Sequence, residues 1–388
     1  MDNLDLDAYR PAARMVVIGV GGGGSNAIER MIDENIGDVE FYVLNTDKQS
    51  LAMSHCPNRI ILGENTSQGL GAGGDPLVGK TAANASEDKI RKIVEGANMV
   101  FIAAGMGGGT GTGAAPVIAR IAKEEGAVTV AIVTRPFSFE GKKRISQSIE
   151  GLNELKKEVD ALIVVSNDKL LMLNGSQLVG NAFAEADRIL AQSVRTITNL
   201  ILCPAIINSD FADVRNVLKD SGVALIGFGT GHGPNKSIDA AISALTCPLL
   251  EANISGARRG ICSVTCGTNV SLYEAQECVN HIIEEAGNAV DVKLGVAIND
   301  QFSDQIIVSI IASDFPEEYD LTNKEEDDEE DNEEDESEEN EHTSIKKEKT
   351  DEENFQKEIK KAKQNLDEIQ SRINLCRDII NNEKNESI

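Results

Sequence analysis

Short β-branched runs alternate with longer helical stretches through the first half of this chain, and glycine clusters fall where the runs end. The runs are MVVIGV (15–20), FYVLN (41–45), RIIL (59–62), MVFIAA (99–104), VTVAIVT (128–134) and ALIVVSN (161–167). Between them, SEDKIRKIVEGA (86–97) and APVIARIAKEEG (115–126) space their apolar residues as helices do. Strands alternating with helices predict a parallel sheet covered on both faces. Such sheets hold ligands at the carboxyl ends of their strands, where the glycines also gather. A long helix is expected over 179–202, followed by GVALIGFG (222–229), RGICSVTCG (259–267), VDVKLGVAI (290–298) and DQIIVSIIAS (304–313). The fold class expected is α/β: a Rossmann-like parallel-sheet domain joined by the long central helix to a smaller α+β domain, with order ending near Phe315.

The cluster GVGGGGSNA (19–27) lies between a strand and a helix. Glycines let backbone approach an anion closely, and a helix N-terminus offers free N–H donors with a favourable dipole. Phosphate binding by residues 21–26 is therefore expected. Two other patterns compete. Gly19, Gly21 and Gly24 satisfy G-x-G-x-x-G, with Glu40 and Asp47 both placed to serve as the ribose-binding acid of a dinucleotide enzyme. Residues 74–81 satisfy G-x-x-x-x-G-K-[ST], with Lys80 and Thr81, yet GENTSQGLGAGG separates them from the preceding strand. The strand MVFIAAG also ends without the acid that a P-loop enzyme uses for magnesium. A second cluster, AGMGGGTGTGAAP (104–116), follows a strand and leads into a helix. One polyphosphate could lie between it, the 21–26 loop and GLGAGGD (69–75), whereas a dinucleotide enzyme needs one such loop.

Charge narrows the partners. Residues 317–388 carry 27 acids against 11 bases, and the remainder is acidic as well. No basic stripe interleaved with aromatics is present, so direct nucleic-acid binding is not expected. The seven cysteines and four histidines show no metal-ligand pairing, and no side-chain metal site is expected. No run approaches the roughly 18 apolar residues of a membrane span. The acidic start MDNLDLDAYR lacks an apolar signal region, which together suggests a cytoplasmic chain. The stretch KEEDDEEDNEEDESEENE (324–341) repels itself and cannot form a core. Beyond it Phe355, Ile359, Ala362, Leu366, Ile369, Ile373, Cys376 and Ile380 recur in steps of four and three, a heptad seam wanting a partner helix.

The motif GGGTGTG, with GVGGGG-NA, LNTD (44–47), GLGAGG (69–74), TRPFSFEGKKR (134–144), SNDKL (166–170) and NSDFADVR (208–215), resembles the tubulin and FtsZ superfamily over most of residues 12–315. The resemblance implies a cytoskeletal GTPase that binds GTP or GDP with magnesium. The resemblance further implies head-to-tail polymerisation and a role in building the ring that divides the cell. It implies a GTP-binding domain over 1–178, a core helix over 179–202 and a domain carrying the catalytic loop over 203–316. A linker over 317–344 and a helical tail over 345–388 complete the expected organisation.

Carried over by residue, the resemblance implies that Gly21, Gly22, Gly23, Gly24, Ser25 and Asn26, with Gly107, Gly108, Gly109, Thr110, Gly111 and Thr112, hold the phosphates. Asn45, Gly73, Gly74 and Asn167 complete the nucleotide site. Glu140 and Arg144 meet the ribose and phosphate region, and Phe183 and Asp187 meet guanine. Asn208, Asp210 and Asp213 are implied to act on the attacking water in the next subunit's site. On the residues alone, the two aspartates read more readily as an N-cap and a solvated helix start. Two carboxylates beside a triphosphate would repel it by about 4 kcal/mol per unit pair at 4 Å and an effective dielectric near 20, so lodging them on another subunit lets GTP bind first. Ser209 and Asp75 depart mildly from the pattern. The ending NNEKNESI lacks the family's short tethering peptide, which leaves the 355–380 seam as the expected contact to tethers or regulators and makes membrane contact indirect. A DNA-segregating relative and a nicotinamide dehydrogenase remain the alternatives.

Overall fold

A computed structural model describes residues 13–64, 66–173, 179–202, 206–207, 210–247, 254–287 and 290–316. The acidic stretch, the heptad seam, Asn208 and Ser209 lie outside these residues. In chain order the elements are β1 (Met15–Val20), α1 (Gly21–Asp33), β2 (Glu40–Asn45), α2 (Lys48–Met53), β3 (Asn58–Ile61), α3 (Pro76–Asn84), α4 (Glu87–Val94) and β4 (Met99–Gly105). There follow α5 (Thr110–Glu124), β5 (Val128–Arg135), α6 (Lys142–Glu158), β6 (Ala161–Ser166), α7 (Asn167–Leu173), α8 (Val179–Leu202) and α9 (Phe211–Leu218). The last are β7 (Gly222–His232), α10 (Lys236–Leu245), β8 (Arg259–Cys266), α11 (Leu272–Glu285), β9 (Asp291–Ile298) and β10 (Gln305–Ser313).

The strands form one sheet in the order β3-β2-β1-β4-β5-β6-β7-β10-β8-β9. From β3 to β6 every pairing is parallel. Alternation along each strand divides the core between the two faces. Val16, Ile18, Val100 and Ile102 face a layer that includes Ile90, Ile118 and Leu152. Met15, Val17, Met99 and Phe101 face Ile28, Leu190, Val194 and Ile197 of α1 and α8. Both layers are buried, which is why the strands read as continuous apolar runs.

The second half joins this sheet rather than forming a separate one. The start of β7 pairs in parallel with β6, with Ala161 opposite Gly222. The rest of the same strand pairs antiparallel with β10, which pairs antiparallel with β8. Helices α10 and α11 cover the third cluster, which holds Ala240, Ala244, Cys278 and Ile282. Among the described residues no helix is long and apolar enough to cross a membrane.

Register fixes where a site can form. Chain order reverses between β1 and β4, and a crevice opens there at the strands' carboxyl ends. Val20 lies opposite Ala104, Gly105 opposite Thr134, and Arg135 opposite Ser166. The ends of β1, β4, β5 and β6 therefore stand level, each passing directly into a loop or helix.

Candidate functional site

A cavity of about 450 Å³ opens at these strand ends. Its floor is made by two helix N-termini. Helix α1 starts at Gly21, whose φ of +70° only glycine adopts freely, and no side chain caps it. Helix α5 starts at Thr110, also without a side-chain cap. Both leave backbone N–H groups free at the positive ends of their dipoles. Gly22, Gly23, Gly108, Gly109, Thr110 and Gly111 line the cavity from these two turns, with Asn26 beside them.

Close packing sets both turns against β4. A Cβ on Gly24 would lie 2.2 Å from the Ala103 carbonyl oxygen, and one on Gly111 would lie 2.4 Å from that of Gly105. At Gly22 and Gly108, by contrast, no atom lies within 4 Å of the Cβ position, so these two glycines face open space. An anion settling there meets backbone donors, and among the described residues Arg144 is the one cationic side chain of the lining.

The opposite wall comes from the β5–α6 connection, α7 and α8. Glu140, on a 3₁₀ turn, accepts from the Phe137 N–H at 2.9 Å and pairs with Arg144. Asn167 is buried, and its Oδ1 faces no hydrogen-bond partner among the described residues although it belongs to the cavity wall. A buried acceptor without a partner is expensive, which marks the place where a ligand donor belongs. Phe183 is 43% exposed and meets Phe137 edge-on at 5.0 Å between ring centroids. Asp187 lies one helical turn further along α8, and burial pushes its carboxyl up to about 6, with Arg30 opposing the shift. Phe183, Ala186, Asp187 and Leu190 share one face of α8, so a flat apolar surface ends in a carboxylate.

Several expected residues stand outside this lining. Thr112 is buried, and its hydroxyl accepts from the Gly107 N–H at 2.8 Å, so it shapes the loop from behind. Asn45 binds the Ser50 hydroxyl and accepts from the Asp47 N–H, closing the turn after β2. Gly21, Gly24 and Ser25 at the start of α1, and Gly73, Gly74 and Gly107 of the loops, do not belong to the cavity wall. Asp75 caps α3 by accepting from the Leu77 N–H at 2.9 Å.

Asp210 caps α9 by accepting from the Asp213 N–H at 2.8 Å, and Asp213 approaches Lys293 of β9 at 3.9 Å. Neither aspartate enters the cavity, whose only carboxylates among the described residues are Glu140 and Asp187.

The competing patterns fail on geometry. Lys80 lies on α3, pairs with Glu154 at 2.8 Å and lines a separate groove. Glu40 is held by Arg14 through two hydrogen bonds, which keep its carboxyl below the usual range, and Asp47 caps α2. Neither acid is free to meet a ribose.

Sequence reasoning passed over Gly105, Met106, Thr134, Pro136, Ala186 and Leu190, which also line the cavity. The helical spacing from Phe183 could have supplied the last two. It also passed over Thr46, which is fully buried and whose hydroxyl lies 2.7 Å from that of Thr110.

Comparison with known proteins agrees with this architecture. The family model for the GTPase domain of the Tubulin/FtsZ family matches residues 14–175, and that for the C-terminal domain of the FtsZ family matches residues 222–316. The chain is similar to an empty FtsZ dimer of M. jannaschii, at 37% identity and a TM-score of 0.74, covering 78% of this chain and 88% of that one. It shares its fold with GDP-bound monomeric CetZ1 from Haloferax volcanii, at 21% identity, TM-score 0.69 and coverage of 78% and 95%. The same holds for a GTPgS-bound protofilament of CetZ2 from Haloferax volcanii, at 20% identity, TM-score 0.67 and coverage of 78% and 94%.

Proposed function

The chain belongs to the Tubulin/FtsZ family of GTPases, and we propose that it polymerises head to tail and hydrolyses GTP only where two subunits meet. The observation that carries this reading is the separation between binding and hydrolytic groups. The cavity holds two helix N-termini and an aromatic face ending in Asp187, but among the described residues no carboxylate of the lining is free to orient a water beside the phosphates. Glu140 is engaged with Arg144 and Phe137, and Asp187 sits at the other end of the pocket. Asp210 is exposed and Asp213 half-buried at the start of α9, and neither belongs to the lining.

In this reading the phosphates rest on the N–H groups of residues 22–23 and 108–111, and guanine lies against Phe183 with its donors toward Asp187 and Asn167. Closing a second subunit over the cavity brings Asp210 and Asp213 of that subunit to the terminal phosphate, with Asn208 beside them. There the carboxylates orient a water and accept its proton. Two sets of exposed apolar residues support such a contact. Leu70, Leu77 at the start of α3 and Phe139 are more than half exposed, as are Ile206 and Ile298 at the end of β9. A contact between unlike faces repeats into an open filament unless its rotation closes a ring. The dimer and protofilament among the similar structures support the same assembly.

Among the described residues no three His, Cys, Asp or Glu side chains gather to hold a metal, so a magnesium ion would take its ligands from the phosphates and water. Bound so, it supplies neutralisation of the charge that develops on the transferred phosphoryl group. We place the filament in the cytoplasm at the division site, with the 355–380 seam contacting tethers or regulators. Segregation of DNA through an adaptor is the second reading.

Mixing tests the shared site. Asp213→Asn chains keep an intact cavity, and Gly108→Phe chains keep the aspartates but fill the cavity. Each alone should be silent. Together, in filaments that sediment, they should recover turnover at about one interface in four. Turnover by Asp213→Asn alone, or silence of the mixed filaments, would overturn the proposal.

A further inference from the structure

Thr46 sits between Asn45 and Asp47 in the turn after β2, and it is fully buried. Its backbone is fixed from two sides. The Gly71 N–H donates to its carbonyl at 3.1 Å, and the Ser67 hydroxyl donates to the same oxygen at 3.3 Å. Its hydroxyl makes one hydrogen bond among the described residues, to the hydroxyl of Thr110 at 2.7 Å. Thr110 is the first residue of α5, half-buried, and part of the cavity wall.

A threonine hydroxyl carries one proton and two acceptor sites. Between two hydroxyls, either can donate. An anion at the mouth of α5 removes that ambiguity, because the anion accepts only. Thr110 then turns its single proton to the anion, and the Thr46–Thr110 contact survives only if Thr46 donates. We propose that Thr46 is a positioning residue for the phosphate site: by giving its proton to Thr110 Oγ1, it commits the Thr110 proton to a phosphate oxygen. This rests on the reading that the cavity binds the phosphates of GTP. The chain Thr46 O–H to Thr110 O–H to phosphate is cooperative, each bond polarising the next. Burial makes Thr46 a one-sided partner, since no water competes for its proton.

The test compares Thr46→Val, which keeps the shape and removes the proton, with Thr46→Ser, which keeps it. GTPgS binding is measured calorimetrically on the full chain at concentrations too low for assembly. Thr46→Val should bind about tenfold more weakly, and Thr46→Ser should return to within about twofold of the parent. In a Thr110→Val background, Thr46→Val should have no further effect, because its only route to the ligand is gone. The nucleotide-free melting temperature reports any general damage to the turn and should stay close to the parent's. Equal GTPgS affinity of Thr46→Val and parent, or an additive loss in the double variant, would overturn the inference while leaving the nucleotide site standing. Failure of the parent chain itself to bind GTPgS would instead overturn the proposed function.

Discussion

Asp187→Asn is expected to stabilise the nucleotide-free protein while weakening GTP binding. The carboxyl of Asp187 is raised from an ordinary 3.8 to about 6, chiefly because burial disfavours its charge, and the Arg30 guanidinium only partly offsets this. A rise of about two units at about 1.4 kcal/mol each sets a ceiling near 3 kcal/mol. Asp187 keeps some contact with solvent, so about half of that, roughly 1.5 kcal/mol, is the expected strain. The carboxyl protonates more readily in the fold than in the unfolded chain. The penalty is therefore absent below the unfolded value near 4, grows as pH rises toward 6, and is constant above it. Urea unfolding without nucleotide should show Asp187→Asn more stable than the parent at pH 7.5, with the gap narrowing toward pH 5.5. The same variant loses a charged acceptor for the guanine donors and should bind GTP about 10- to 100-fold more weakly at pH 7.5. Lower stability at pH 7.5, or an unchanged GTP affinity, would refute the assignment of strain and recognition to this carboxylate.

Gly22→Ala meets no atom within 4 Å and should melt within a few degrees of the parent, yet it should weaken GTP binding tenfold or more by crowding the phosphates. Gly24→Ala drives a methyl group onto the Ala103 carbonyl, and a lower melting temperature, by about 2 kcal/mol or more of stability, should accompany its loss of binding. Lys80→Ala breaks only an exposed pair with Glu154, so GTP turnover should change less than about twofold; a loss of several hundredfold would restore the P-loop reading. Deleting residues 345–388 should reduce filament bundling or recruitment to the division site with turnover nearly intact, as sedimentation and fluorescence imaging would show. Unchanged bundling together with unchanged recruitment would remove the role given to the tail.

The parts of this molecule that were legible from sequence are those where chemistry leaves little choice. Strands buried on both faces must be apolar throughout, so β1, β4, β5 and β6 announce themselves. Backbone packed as tightly as Gly24 and Gly111 must be glycine, so both glycine turns at the cavity floor were visible. The start of α5 was not, because Thr110, Gly111, Thr112 and Gly113 are poor helix formers. Their helix is set by packing: a Cβ at Gly113 would fall 1.9 Å from the Pro76 carbonyl oxygen on α3. The continuity of the sheet was hidden for a similar reason. The strand β7 looks like any other, and only register shows that one part pairs with β6 and the rest with β10. Thr46 was overlooked because its partner is 64 residues away and its neighbours Asn45 and Asp47 carry the turn. The contact of Thr112 with its own loop was hidden as well: its hydroxyl accepts from the Gly107 N–H, five residues back.

The most direct test of a site completed by assembly is phosphate release from GTP, measured against protein concentration with magnesium present. The account predicts almost no turnover below a threshold concentration and a linear rise above it, with the threshold matching the onset of sedimentable filaments. Turnover proportional to concentration from the lowest point, with no filaments formed, would show that each chain carries a complete site and would contradict the account.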